Sequence, residues 1–285
     1  MINGGEMHKE IFIYQYYMTV YFFPRGRLGN AIFRYFACSL FCMSYGQEYS
    51  ISYTPIASSV GDDLFIQWMN GMFIDKVHVD LFFSGYYQHD RIYKQRKGEL
   101  IEYMKNHLDH FVLTDGITAG DGHLEKFFIR DLLYEPSGFS KIYDTVIHIR
   151  LDDHVTHGLN IRLEYIVEVL ERIHIGENSC VLVQAPTTDF EKEYLRTIVD
   201  FVFVKHGVTI CVESNDTLTD YYIMKNARVL LCSMSTLSWA AAFLSDKIEE
   251  CYFPDHAMPH GPHCSMKSPI DNTELYNIGS GTGEV

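Results

Sequence analysis

The run Val146-Ile147-His148-Ile149-Arg150-Leu151-Asp152-Asp153-His154 places an arginine, two carboxylates and two histidines at the end of a β-branched apolar stretch. Such a stretch reads as a buried strand. Side chains alternate along a strand, so His148 and Arg150 share one face and Ile147, Ile149 and Leu151 the other. In a parallel α/β sheet the carboxyl end of a strand opens onto the crevice where ligands bind. A guanidinium there is fully charged, and its fork suits a phosphate or carboxylate oxygen. The competing reading is an ordinary ion pair with Asp152 or Asp153.

A second chemistry-bearing stretch is Ser233-Met234-Ser235-Thr236, which lies between the apolar strand Arg228–Cys232 and a buried helix, Leu237–Leu244. Hydroxyl groups at a helix N-terminus, with the unpaired amides and the helix dipole, make a phosphate cradle without any lysine. Ser235 or Thr236 acting only as the N-cap is compatible with the same pattern. A third is Pro24-Arg25-Gly26-Arg27-Leu28-Gly29-Asn30, a glycine-bearing turn between the strand Thr19–Phe23 and a helix, Ala31–Tyr45. Its amides are placed to meet an anion or polar ligand, although such turns also serve plain chain reversal. It is not a P-loop, since no Gly-Lys-Ser/Thr follows. A fourth, Ser84-Gly85-Tyr86-Tyr87-Gln88-His89-Asp90-Arg91, is a polar aromatic turn of the kind that lines sugar sites, or else a solvated loop.

The elements that position these stretches follow from periodicity. In the N-terminal half, Phe33, Phe36, Ala37, Leu40, Phe41 and Met43 fall mostly on one helical face. Further strands are expected over Ile51–Ser59 and Val77–Phe83, with a short aromatic helix, Leu64–Phe73, N-capped by Asp62-Asp63; a metal-binding diacid is the other reading there. Lys94–Leu113 reads as a helix, Thr114–Gly122 as a loop, and Phe127–Tyr143 as irregular. The second half alternates strands and helices: Ser179–Gln184, Asp189–Phe201 (capped by Thr187, Thr188 or Asp189), Val208–Val212 and Asp220–Asn226, after a helix at Leu163–Ile173. That alternation argues for a parallel sheet. The predicted organisation is two units, residues 1–140 and 141–285. Residues after Lys267 are expected to be poorly ordered.

The chain has 285 residues and a formal net charge of −14, which argues against a nucleic-acid partner or an anionic membrane surface. Its seven cysteines include no Cys-x-x-Cys pair, so reduced thiols in a cytoplasmic compartment are expected. Cys38 and Cys42 fit the core better than a metal. Ile11–Phe23 is too short for a bilayer span and lacks a basic leader and a cleavage site, so no transmembrane segment is expected. His256, His260 and His263 fit no metal-ligand spacing, and a surface loop is expected there.

Four stretches, in this order, resemble the α-1,2-fucosyltransferase family and its wider superfamily of GDP-fucose fucosyltransferases. Arg25-Gly26-Arg27-Leu28-Gly29-Asn30-Ala31-Ile32-Phe33-Arg34-Tyr35 is similar to the N-terminal GGLGNQMFQY motif, and Gly85–Tyr93 to GYWQSEKYF. His148–Asp153 resembles HxRRGD. Asp220-Tyr221-Tyr222-Ile223-Met224 with Ser233–Trp239 resembles DLYLM…SNSSFSWWGAWL. The resemblance implies a GT-B-like α/β fold, two Rossmann-like domains facing a central cleft, the first on the acceptor side and the second binding the nucleotide sugar. It implies an inverting, metal-independent transfer of a 6-deoxyhexose, L-fucose from GDP-fucose, to a hydroxyl of an oligosaccharide or glycoconjugate; the donor is a substrate, and no cofactor is implied. By position, Arg150 would meet the β-phosphate, Ser233, Ser235 and Thr236 the phosphate oxygens, and Asp220 guanine. Arg27, Gly29 and Asn30 would reach the donor from the opposite domain, with His148 beside Arg150, and Tyr86, Tyr87, Gln88, His89 and Asp90 would lie on the acceptor side. The catalytic set would be Arg150, Asn30 and Asp153, the last as base, with His89 or Asp90 next. Leu151, Asp152 and Ala31 depart from the pattern, which keeps GDP-rhamnose or another GDP-sugar open as donor, and equally a non-catalytic glycan- or nucleotide-binding module. An epimerase-type enzyme would want a Gly-x-Gly-x-x-Gly fingerprint, and none is present.

Overall fold

A computed structural model describes residues 19–22, 26–46, 48–49, 58–71, 81–83, 85–115, 124–151, 154–155, 160–255 and 266–278. In chain order the elements are β1 (Thr19–Phe22), α1 (Leu28–Tyr45), β2 (Glu48–Tyr49), β3 (Ser58–Val60), α2 (Asp62–Met69), β4 (Leu81–Phe83), α3 (Asp90–Gln95) and α4 (Lys97–Asn106). A hairpin follows, β5 (Phe111–Asp115) and β6 (Leu124–Phe128), then α5 (Ile129–Leu133). The remainder is β7 (Thr145–Ile149), α6 (Leu163–Leu170), β8 (Ser179–Val183), α7 (Asp189–His206), β9 (Cys211–Glu213), α8 (Thr217–Lys225), β10 (Val229–Leu231), α9 (Thr236–Leu244), β11 (Glu250–Asp255) and β12 (Thr273–Asn277).

The expected α/β class with parallel sheets is what these elements build. The first sheet has the order β2-β1-β4-β3, and every pair in it is parallel. The second has the order β9-β8-β7-β10-β11-β12, again parallel throughout. Renumbered from its first strand, that is the doubly wound order 3-2-1-4-5-6. The chain leaves β7 toward one edge and returns at β10 to build the other, so the carboxyl ends of β7 and β10 flank the point where direction reverses. In the first sheet the chain runs from β1 to β2 at one edge, crosses to β3 at the other and ends inward at β4, beside β1.

Residue character explains the layers. β8 is buried at every position, as a strand covered on both faces must be. On β7, Val146 joins one core cluster while Ile147 and Ile149, with Leu151 beyond, join the other, the alternation expected of this strand. The first cluster is continuous across the halves: Phe33 and Phe36 on α1 meet Trp239 (ring centroids 4.8 Å) and Phe243 (5.4 Å) on α9. α7 starts at a capping box, Thr188 with Glu191, and stops at Gly207 in the left-handed region (φ +70°).

Several expectations need correction. α1 is not amphipathic: every residue from Ala31 to Cys42 is buried, because the helix lies between the first sheet and α9. Cys38 and Cys42 are packing residues of that helix, their thiol pKa values pushed up by burial, Cys42 to about 12. Lys94–Leu113 is not one helix. It breaks at Arg96, ends at Asn106, and turns into β5, where Phe111-Val112-Leu113-Thr114 finds a cross-strand partner in Leu124–Phe128. Asp62 does not cap α2; the N-cap is Gly61, and the carboxylate is used elsewhere. Residues 268–278 are structured: β12 pairs along β11, and buried Tyr276 donates to the Cys232 carbonyl (2.6 Å). The histidine-rich stretch 256–263, Asp152 and Asp153 lie outside the described residues.

Candidate functional site

A cavity of about 680 Å³ opens between the start of α1 and the hairpin on one side and the carboxyl ends of β7 and β8 with the starts of α8 and α9 on the other. That volume is in the range of small-molecule and cofactor sites. Its lining brings together Arg27, Gly29, His148, Arg150, Asp220, Ser235 and Thr236, residues drawn from three of the four motif stretches.

Two of the helices that start at this cavity, α1 and α9, differ from the other described helices. Each of α2 to α8 carries at least one acidic residue in its first turn; α1 and α9 carry none. An acid in the first turn neutralises the positive end of the helix dipole, and its absence leaves that end for an anion. The two N-termini are in direct contact. A Cβ on Gly29 would lie 2.4 Å from Thr236 Oγ1 and 2.5 Å from the Leu237 amide nitrogen, so only glycine permits this approach. Arg27 stands at the N-cap of α1 and makes no side-chain cap, while Ser235 caps α9 by accepting from the Leu237 amide (3.2 Å). With Arg150 at the end of β7, two guanidiniums and two helix N-termini share one cavity wall.

His148 supports this arrangement from behind. Its Nδ1 and the Ser233 hydroxyl share a hydrogen bond of 2.8 Å, tying the end of β7 to the turn after β10. Burial, then the Arg150 and His154 charges, hold its pKa down at about 3, so the ring is neutral at physiological pH. Ser233 is buried and reaches the cavity only through that histidine. Asp220 is the inverse case. Burial pushes its carboxyl up to about 7, against a hydrogen bond from Asn215 and with the Asp216 and Glu213 charges adding to the rise. It lines the same cavity, in the first turn of α8.

The aromatic turn lies apart from this cavity. None of Tyr86, Tyr87, Gln88, His89 and Asp90 lines the cavity. Tyr87 is fully buried at φ +55°; its hydroxyl donates to the Val60 carbonyl and accepts from the Gly85 amide (2.9 Å). Asp62 holds the turn, accepting from the Tyr86 and Tyr87 amides (3.0 and 2.6 Å) and pairing with His89 Nε2 (3.2 Å). Burial pushes the Asp62 carboxyl up, yet the His89 bond and the two amides outweigh it and hold its pKa below the ordinary value. Asp90 accepts from the Lys267 and Ser268 amides (3.3 and 3.2 Å), fastening the C-terminal segment to this half. Gln88 connects back, its amide donating to Asn30 Oδ1 (3.2 Å) one turn behind the α1 N-terminus. Tyr86 is half-buried, with the Arg34 guanidinium 5.9 Å from its ring centroid.

Sequence reasoning missed part of the wall. Thr114, Glu125, Lys126 and Phe127 of the hairpin line the cavity, as do Gln184, Asn215, Asp216, Thr217 and Leu218. Gln184 directly follows β8, so the rule that placed Arg150 would have found it. The hairpin gave no such signal, because one of its strands was read as helix.

No family model matches the chain, and no curated protein sequence does. Among solved structures it is similar to fucosyltransferase NodZ from Bradyrhizobium (9% identity, covering 80% of this chain and 94% of that one, TM-score 0.44). It is also similar to NodZ α-1,6-fucosyltransferase co-crystallised with GDP (9%, 80% and 93%, TM-score 0.43). A third is the E. coli heptosyltransferase WaaC with ADP (11%, 91% and 93%, TM-score 0.43).

Proposed function

We propose that this chain is a glycosyltransferase that takes a sugar from a nucleoside-diphosphate donor, a GDP-linked 6-deoxyhexose, and places it on a hydroxyl of a glycan acceptor with inversion. The observation that carries this reading is the meeting of two acid-free helix N-termini at Gly29 and Thr236, beside Arg27 and Arg150. Such a wall is built for a diphosphate. In the transfer the acceptor oxygen attacks the anomeric carbon as the bond to the β-phosphate oxygen breaks, and negative charge grows on the departing diphosphate. Arg150 and the α9 N-terminus stabilise that growing charge more than the starting ester, which is what lowers a barrier. This positive charge comes from the chain itself, so turnover is expected to persist in a chelator. Asp153, three residues past Arg150, is the proposed base for the acceptor hydroxyl.

In the same cavity, Asp220 reads the base. One carboxylate accepts from both N1–H and the exocyclic amine of guanine, an adjacent donor pair that uracil and adenine lack. The test is a thermal-shift and calorimetric panel of GDP, ADP and UDP, followed by donor consumption with GDP-fucose and GDP-rhamnose. A ligand that binds only the folded state raises the midpoint. GDP should lead the panel. Failure of every nucleoside diphosphate to bind would remove the proposal, and GDP binding without turnover of any donor would reduce it to a binding module.

A further inference from the structure

Asn215 sits in the cavity wall between Asp220 and a chain of charged groups that runs out to the surface. Lys141 Nζ donates to Asn215 Oδ1 and to Glu213 Oε2, each at 2.7 Å. Tyr143 donates to the other oxygen of Glu213 (2.6 Å). Asn215 Nδ2 then donates to Glu213 Oε2 (3.2 Å) and to Asp220 Oδ1 (3.1 Å). The sense of the amide is fixed by this chain. An ammonium has only donors, so it demands the amide oxygen, and two carboxylates on the opposite side demand the NH2.

Resting on the donor reading above, we propose that the Lys141–Glu213–Asn215 relay is a specificity device: it aims the Asn215 NH2 at Asp220, keeps that carboxylate available to a base with two adjacent N–H donors, and makes donor affinity depend on pH near neutrality. Asn215 is a positioning residue that acts through Asp220. The groups around Asp220 are Glu213 and Cys211 on β9, Cys180 on β8, Asp216 before α8, and Lys141 and Tyr143 before β7, with His148 and Arg150 lining the same cavity. Burial and the Glu213 and Asp216 charges favour the protonated acid, and the Asn215 amide favours the carboxylate. With the midpoint at about 7, a ligand that needs the carboxylate competes with a proton below neutrality. Its affinity then falls about tenfold per pH unit on the acid side and levels off above pH 8.

Two readouts separate the relay from the donor reading. The first is the Asp220 carboxyl titration in the ligand-free protein, followed by carbon-13 NMR and assigned with Asp220→Asn. The second is GDP affinity by calorimetry from pH 5.5 to 9. Asn215→Leu removes the donor, so the titration should move up by about one pH unit, with GDP affinity about fivefold lower at pH 7 and within about twofold of wild type at pH 9. Lys141→Met leaves the cavity wall intact and frees the amide to turn, so it should shift both readouts in the same direction by less. An unchanged titration in both variants overturns the relay even if GDP binds. A moved titration in a protein that binds no GDP at any pH upholds the relay and overturns its link to the donor. Equal loss of affinity at every pH would mean that Asn215 only shapes the wall, and would overturn the proposal.

Discussion

Arg150 and Gly29 are the two residues on which the site depends, and they fail in different ways. Replacing Arg150 with alanine removes a cavity charge at the end of a strand whose own hydrogen bonds are untouched. Transfer should fall by about 10²–10³-fold, the loss typical of one donor to a developing anion, with the melting temperature close to wild type. Steady-state kinetics beside a thermal melt checks both halves, and full turnover in the variant would remove the arginine from the mechanism. Gly29→Ala acts through packing. Its methyl group would meet Thr236 and the Leu237 backbone at about 2.5 Å, so the two helix ends must part. The cost should be about 1–3 kcal/mol of stability together with lost GDP binding, read by denaturant unfolding and calorimetry. Arg150 was legible in the sequence because alternation and strand polarity together dictate where it points. Gly29 was legible only as a glycine in a turn, since what it must avoid is about 200 residues away in the chain.

Among elements, the turn Gly85–Asp90 shows how a segment with polar and aromatic residues ends up as structure. Asp62 at the start of α2 gathers two amides and His89, so the turn cannot swing toward solvent. Because its folded-state pKa lies below the unfolded value of about 3.8, the stability it contributes is full above that pH and is lost as pH falls through the folded value. Asp62→Asn should therefore destabilise the protein at pH 7 and flatten the acid limb of its stability curve, measured by urea unfolding between pH 3 and 7. An unchanged slope below pH 4 would show that Asp62 does not carry that limb. The sequence hid this role because adjacent aspartates before a helix fit an N-cap equally well. The distribution of acids was in plain view, by contrast: α1 and α9 are the two described helices without one in the first turn. It becomes a signal only when both helices are known to start at one place. The hairpin was not legible at all, for its strand Phe111–Asp115 follows a helix whose apolar period runs on into it.

The whole molecule is organised by a sheet order that no single motif specifies. Alternating strands and helices imply a parallel sheet, but they do not specify the doubly wound order, and it is that order which sets Arg150 beside Ser235. The C-terminal strand depends on the first half through Asp90. Asp90→Ala should loosen residues 266–268 and raise amide exchange in β12, while exchange in β8 stays slow; equal exchange in β12 with and without the carboxylate would deny the link. Trp239 is buried between Phe33 and Phe243, and truncating it to alanine should cost about 3–5 kcal/mol, melting both halves in one transition rather than one of them alone. These rings join α1 to α9, the two helices whose N-termini meet at Gly29 and Thr236. A ligand of the cavity is therefore expected to enter without parting these two helices. Spin labels on the outer ends of α1 and α9 should report one fixed separation whether or not GDP is bound.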